Sequence, residues 1–202
     1  PAPTMTPQLD RKVLLEDTSN RGVAFCGLLS EHVDAWLAQL WNAAGGPDQG
    51  VALVAVGGYG RAELSPGSDI DVYLLYEPKT DVADLAERVW YPIWDQGVKL
   101  GHAVRTVKET LMLASDDLDT ATAILSVRYL AGDKRLADEL ATKGTELWEK
   151  RAKRWLDERW RKSSLGIGHD CLATPQFAAT GRTNQPLGPG YARGPVNGTQ
   201  RV

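Results

Sequence analysis

Two aspartates, Asp69 and Asp71, open the apolar run Asp-Ile-Asp-Val-Tyr-Leu-Leu-Tyr, which reads as a β-strand. Side chains alternate faces along a strand, so both carboxylates project to one side while Ile70, Val72 and Leu74 face the other. Two like charges side by side repel unless a cation lies between them, and hard oxygen ligands at the mouth of a sheet suit Mg²⁺. Ten residues separate Asp69 from the pair Gly57-Gly58, which has Gly60 close behind and comes directly after the apolar stretch Val51 to Val56. Residues without Cβ reach positive φ, and a glycine turn after a buried strand lets backbone N–H groups approach phosphate oxygens. A dinucleotide fingerprint is excluded because Glu63 stands where its third glycine belongs, and a P-loop is excluded because no Gly-Lys-Ser/Thr follows. The plain alternative is a tight turn followed by a strand that exposes two acids.

The elements that position these residues follow from the periodicity around them. Val51 to Val56 is short, apolar and β-branched, a buried strand, and Pro66 and Gly67 connect the glycine turn to the second strand. Upstream, Val13, Leu14, Phe25, Leu28, Leu29, Val33, Trp36, Leu37, Leu40 and Trp41 recur at three- and four-residue steps, which predicts one or two helices with a break near Ser19 to Gly22. Gly45, Gly46 and Pro47 end them. Downstream, Pro78 and Asp81 open a helix carrying Val82, Leu85, Ala86, Val89 and Trp90, which Pro92 bends or ends. Val98 to Val107 reads as a third strand. Helices are expected from about Lys108 and from about Asp119 to Ala131, the latter capped by Gly132, and residues 133–162 form the clearest amphipathic helix. Acids interleave with the Lys and Arg of that last helix, which marks a solvated face rather than a nucleic-acid patch. The expected organisation is a disordered N-terminus over 1–8, an α/β (α+β) domain over 9–115 with a small mixed sheet flanked by helices, a helical extension over 116–165, and a disordered tail over 166–202.

Composition narrows the classes. A net charge of -3 argues against a general nucleic-acid surface, and 43% apolar residues in 202 support a real core. The two cysteines, Cys26 and Cys171, have no ligand-like spacing, so neither a disulfide framework nor a zinc site is expected. No stretch approaches the roughly 18–20 apolar residues of a membrane span. A cytoplasmic protein is the expectation.

The pair Gly57-Gly58, ten intervening residues and Asp69-Ile70-Asp71 resemble the signature of the polymerase-β-like nucleotidyltransferase superfamily. The wording is narrower still. The run from Gly57 through Tyr59, Arg61, Glu63, Leu64 and Ser68 to Asp71, the segment Pro92 to Thr106, and Val127 to Asp133 resemble the N-terminal catalytic domain of the bacterial PII uridylyltransferase family. The resemblance covers roughly residues 10–160. It implies a polymerase-β-like fold in which Gly57 and Gly58 hold the triphosphate and Asp69 and Asp71 hold Mg²⁺. It also implies transfer of a nucleotidyl group from UTP, or ATP in some bacteria, to a tyrosine of the PII signalling protein. Arg61 is a triphosphate contact or an ion-pair partner of Glu63, and Ser68 is a phosphate donor or a cap at the strand start. The superfamily often adds a third carboxylate as general base, yet Gly101 to Thr106 holds His102 and Arg105 and no acid. The base stays unassigned. The family's phosphohydrolase and ACT domains have no counterpart, and His169-Asp170 alone does not make the former. The Gly/Pro/Arg-rich tail resembles a truncated or frameshifted end. Two alternatives stand beside the implied function: a nucleotidyltransferase with another acceptor, and a catalytically silent nucleotide-binding module.

Overall fold

A computed structural model describes residues 7–10, 12–16 and 19–164, the backbone alone for Lys12, Val13 and 158–164. The tail expected over 166–202 lies outside the described residues, as do positions 1–6. Pro7 and Leu9 are tied down. The Pro7 carbonyl accepts from Trp36 Nε1 and Gln96 Nε2 at 3.0 Å each, and Leu9 N donates to Gln96 Oε1 at 2.7 Å.

A short helix α1 (Lys12–Glu16) and a long helix α2 (Val23–Ala43) precede the sheet, separated where the sequence breaks at Gly22. Then come β1 (Val51–Ala55), the helical turn α3 (Gly57–Gly60), β2 (Ile70–Tyr76), α4 (Ala83–Asp95), β3 (Leu100–Arg105), α5 (Val107–Ala114), α6 (Leu118–Ala123), β4 (Arg128–Gly132) and α7 (Lys134–Ser164). The sheet order is β3-β2-β1-β4. β1 runs antiparallel to β2 and β4, whereas β2 and β3 are parallel, with α4 as their crossover. The sheet is therefore mixed and flanked by helices, as expected.

Every residue of β1 is buried, because both faces of the sheet are covered. Leu53, Ala55, Val72 and Leu74 pack against Val33, Leu37 and Leu40 of α2 and Val89 and Ile93 of α4. Ala52, Val54, Tyr73 and Leu75 pack against Ala114 of α5, Ile124, and Leu140 and Trp155 of α7. Each fully buried aliphatic side chain in these layers stabilises the fold by about 1.5–3 kcal/mol.

Two expectations, a helix over 119–131 and its Gly132 cap, are corrected. The helix expected over 119–131 is short, α6 ending at Ala123, and its second half is the strand β4, so the sheet continues into the segment read as a helical extension. The cause lies in β1, which is buried on both faces and needs backbone partners along both edges. β2 supplies one ladder and β4 the other. Gly132 accordingly caps no helix; it ends β4 at φ +83°, and Asp133 N then donates to Val51 O at 2.7 Å. Pro92 lies inside its helix, which continues to Asp95, so of the two expected effects of this proline, termination at that residue does not occur. The glycine turn is itself one turn of helix, closed by Gly60 N on Val56 O at 3.0 Å and Glu63 N on Gly58 O at 3.0 Å.

Candidate active site

Strand β2 begins at the cleft end of the sheet, and its alternation puts Asp69, just before it, and Asp71 on one face. Asp71 is held in place by its backbone, whose carbonyl accepts from Val56 N at 3.1 Å. Across the parallel ladder its register partner is Gly101, where a Cβ would overlap Asp71 Oδ1, so the carboxylate occupies space that only glycine leaves open. Burial, and secondarily the charge of Asp69, pushes the Asp71 carboxyl up to about 7. Neither acid forms an ion pair among the described residues.

This pair fits a hard divalent cation, which would relieve both the repulsion and the burial cost. Among the described residues no group of three or more His, Cys, Asp or Glu side chains is placed to hold a metal. Two carboxylates leave the other coordination positions to water and to oxygens of a bound ligand.

The glycine-turn residues lie beside them. Gly57 adopts φ +62°, which a side chain disfavours, and it is buried at the end of β1. Gly60 meets the Ser126 carbonyl so closely that a Cβ would overlap it. Between them Tyr59 is 1% exposed and anchors the turn to the body. Its hydroxyl donates to Asp34 Oδ1 of α2 at 2.5 Å. Arg128 of β4 pairs with Asp34 Oδ2, donates to the Tyr59 carbonyl at 2.8 Å, and lies over the Tyr59 ring at 5.0 Å. Burial, then the Asp34 charge, raises the Tyr59 pKa well above that of a free phenol, so it stays a neutral donor.

Gly57, Gly58, Arg61, Ser68, Asp69 and Asp71 all line one cleft of about 820 Å³. Arg61 Nε donates to Glu63 Oε2 at 2.7 Å, and its guanidinium stays near Gly58. The Ser68 hydroxyl accepts from Ser65 N at 3.1 Å and donates to Ser65 O at 2.9 Å. His102 pairs in register with Val72, on the opposite face from Asp71. It lies between Trp90 and Trp94, ring centroids 5.5 and 5.4 Å away, and burial lowers its pKa. That position removes it as a proton acceptor for chemistry at the aspartates.

Sequence reasoning missed Asp34, Tyr59 and Arg128 as anchors of the turn, and Lys99 and Asp119 as cleft walls. The sequence carried one signal for Lys99, a basic residue at the start of a strand that pairs beside Asp-Ile-Asp; for Arg128 there was none without the sheet order.

The chain is similar in sequence to known proteins. The family described as "Nucleotidyltransferase domain" matches residues 37–125. The bifunctional uridylyltransferase/uridylyl-removing enzyme of Streptomyces coelicolor is 44% identical over 147 residues, covering 72% of this chain and 18% of the relative. Its Mycobacterium tuberculosis counterpart is 38% identical over 139 residues, 64% of this chain and 17% of the relative. That of a Bradyrhizobium strain is 48% identical over 92 residues, 45% and 10% respectively. The chain therefore spans less than a fifth of the length of these relatives. A solved toxin–antitoxin structure with AMP-PNP aligns with a TM-score of 0.40 and 13% identity, covering 65% of this chain and 98% of that one. With the domain match over 37–125 and these uridylyltransferase relatives, the chain carries a nucleotidyltransferase domain.

Proposed function

We propose that this chain transfers UMP from UTP to a tyrosine hydroxyl of a PII-type signalling protein, with release of pyrophosphate. The observation that carries the reading is the single cleft shared by the glycine turn at Gly57 and Gly58 and the unpaired Asp69 and Asp71. The choice of UTP and PII rests on the uridylyltransferase relatives. Asp69 and Asp71 are the proposed Mg²⁺ ligands, and backbone N–H groups of the turn, with Arg61 and Ser68 beside it, are the proposed phosphate contacts. Mg²⁺, when bound, offsets the charge that builds on the leaving group. The acceptor oxygen bonds to the α-phosphorus, the bridging bond to the β-phosphate breaks, and the hydroxyl proton is released. The chain's part is to hold the triphosphate against the aspartates so that attack is in line. No helix of the described residues is long and apolar enough to cross a membrane, and the cytoplasm is the proposed compartment.

The test is transfer of label from α-labelled UTP and ATP to purified PII with Mg²⁺, comparing the chain with its Asp69→Asn/Asp71→Asn variant. Labelling from UTP that vanishes in the variant supports the reading. Labelling from ATP alone reassigns the donor, and a folded, nucleotide-binding chain that labels nothing removes PII as acceptor.

A further inference from the structure

We propose that Lys99 is a further substrate-binding residue of this site, its ammonium contacting the triphosphate of the bound nucleotide. The inference rests on the nucleotide-site reading above and adds a residue to it.

The placement comes from the sheet. Ile70 N donates to Lys99 O at 2.9 Å, and Ile70 and Leu100 are register partners in the parallel β2–β3 ladder. One step earlier along both strands Lys99 therefore stands beside Asp69. Alternation puts it on the face of Gly101, which is the face of Asp71. The same cleft that holds the two aspartates and the glycine turn is lined by Lys99.

Charge decides what that side chain does. The cleft wall carries four carboxylates, Glu63, Asp69, Asp71 and Asp119, against two cations, Arg61 and Lys99. A polyanion entering such a cleft needs every positive charge it offers, beyond the metal on the aspartate pair. Arg61 is already engaged by Glu63 at 2.7 Å. The Lys99 ammonium makes no hydrogen bond or ion pair with any described residue, and the residue is exposed rather than packed. A flexible point charge with three donors, free of a protein partner and next to the metal-binding acids, is suited to a phosphate oxygen.

The experiment is titration of the chain with UTP in Mg²⁺ buffer, and with ATP in parallel, for wild type, Lys99→Met and Lys99→Arg, with melting temperatures recorded alongside. Lys99→Met is expected to weaken UTP binding roughly tenfold, the scale of one charge-assisted contact. Lys99→Arg is expected to recover most of it, added salt to weaken the wild type more steeply than Lys99→Met, and all three to melt together. Wild type and Lys99→Met with superposable titrations overturn the proposal. So does a loss that Arg fails to restore and that comes with a lowered melting temperature, since that marks a structural role. A wild type that binds neither nucleotide overturns the site reading itself, and this proposal with it.

Discussion

Burial and the neighbouring Asp69 both oppose the charge of Asp71. Its carboxyl lies near 7 in the folded chain against an ordinary 3.8, chiefly through burial and then through Asp69. A raised folded-state value means that the folded chain holds the proton more tightly than the unfolded one. The stabilisation this gives is fully present below about pH 4 and is lost as pH rises through 7. Allowing for the water that reaches the site, the loss is about 1–2 kcal/mol. In metal-free buffer Asp71→Asn is therefore expected to stabilise the protein at pH 8 and to make little difference at pH 4, as read by urea unfolding at the two pH values. An equal effect at both would contradict it. Gly101 carries the complementary expectation. A Cβ there overlaps Asp71 Oδ1, the free end of a side chain that can swing away, so Gly101→Ala should cost less than about 1 kcal/mol of stability. It should nevertheless weaken Mg²⁺-dependent nucleotide binding, because the carboxylate leaves its place. The acids and glycines were legible in the letters because their spacing alone fixes which face they share. The conflict at Asp71 was not, since it depends on Gly101 being its neighbour across the ladder.

The glycine turn owes its position to elements far from it in sequence. Asp34 of α2 receives both the Tyr59 hydroxyl and the Arg128 guanidinium, and Arg128 also holds the Tyr59 carbonyl. Arg128→Ala removes a half-buried ion pair and a backbone anchor together. It is expected to cost about 1–3 kcal/mol and to weaken nucleotide binding in addition, measured by urea unfolding and by UTP titration. A loss of stability with unchanged UTP affinity would show that the turn holds itself. Strands β1, β2 and β3 and the long helices could be read in advance, because their apolar periods are unambiguous and glycine or proline bounds them. Strand β4 could not. Arg-Tyr-Leu-Ala-Gly is five residues long, follows helix-forming sequence, and has no strict alternation, so nothing local distinguishes it from the end of a helix. What selects the strand is the open edge of β1, a tertiary demand. The helical form of the Gly57–Gly60 turn was hidden for a related reason: glycine is a poor helix former, and the turn is fixed by Tyr59 and by the Ser126 carbonyl packed on Gly60.

Across the molecule, the sheet is covered by helices on both faces and the cleft opens at the end where β1 finishes and β2 and β3 begin. Both cores converge on this end. Val72 and Ile93 lie on one side, and Val56 and Ile124 on the other, all buried in the two cores. The chain matches less than a fifth of the length of its uridylyltransferase relatives, and that part contains the whole cleft described here. On the proposed function, a local site on a chain whose net charge is -3 draws its affinity for a polyanion from the metal and a few placed groups. The most direct measurement of that claim is the Mg²⁺ dependence of UTP affinity by calorimetry, for the wild-type chain and for Asp69→Asn/Asp71→Asn. Mg²⁺ should strengthen UTP binding by the wild type at least about tenfold, the scale of one charge-assisted contact, and leave the variant nearly unchanged. An equal response to Mg²⁺ in both proteins would contradict the account, since the aspartate pair would then hold no metal with the nucleotide.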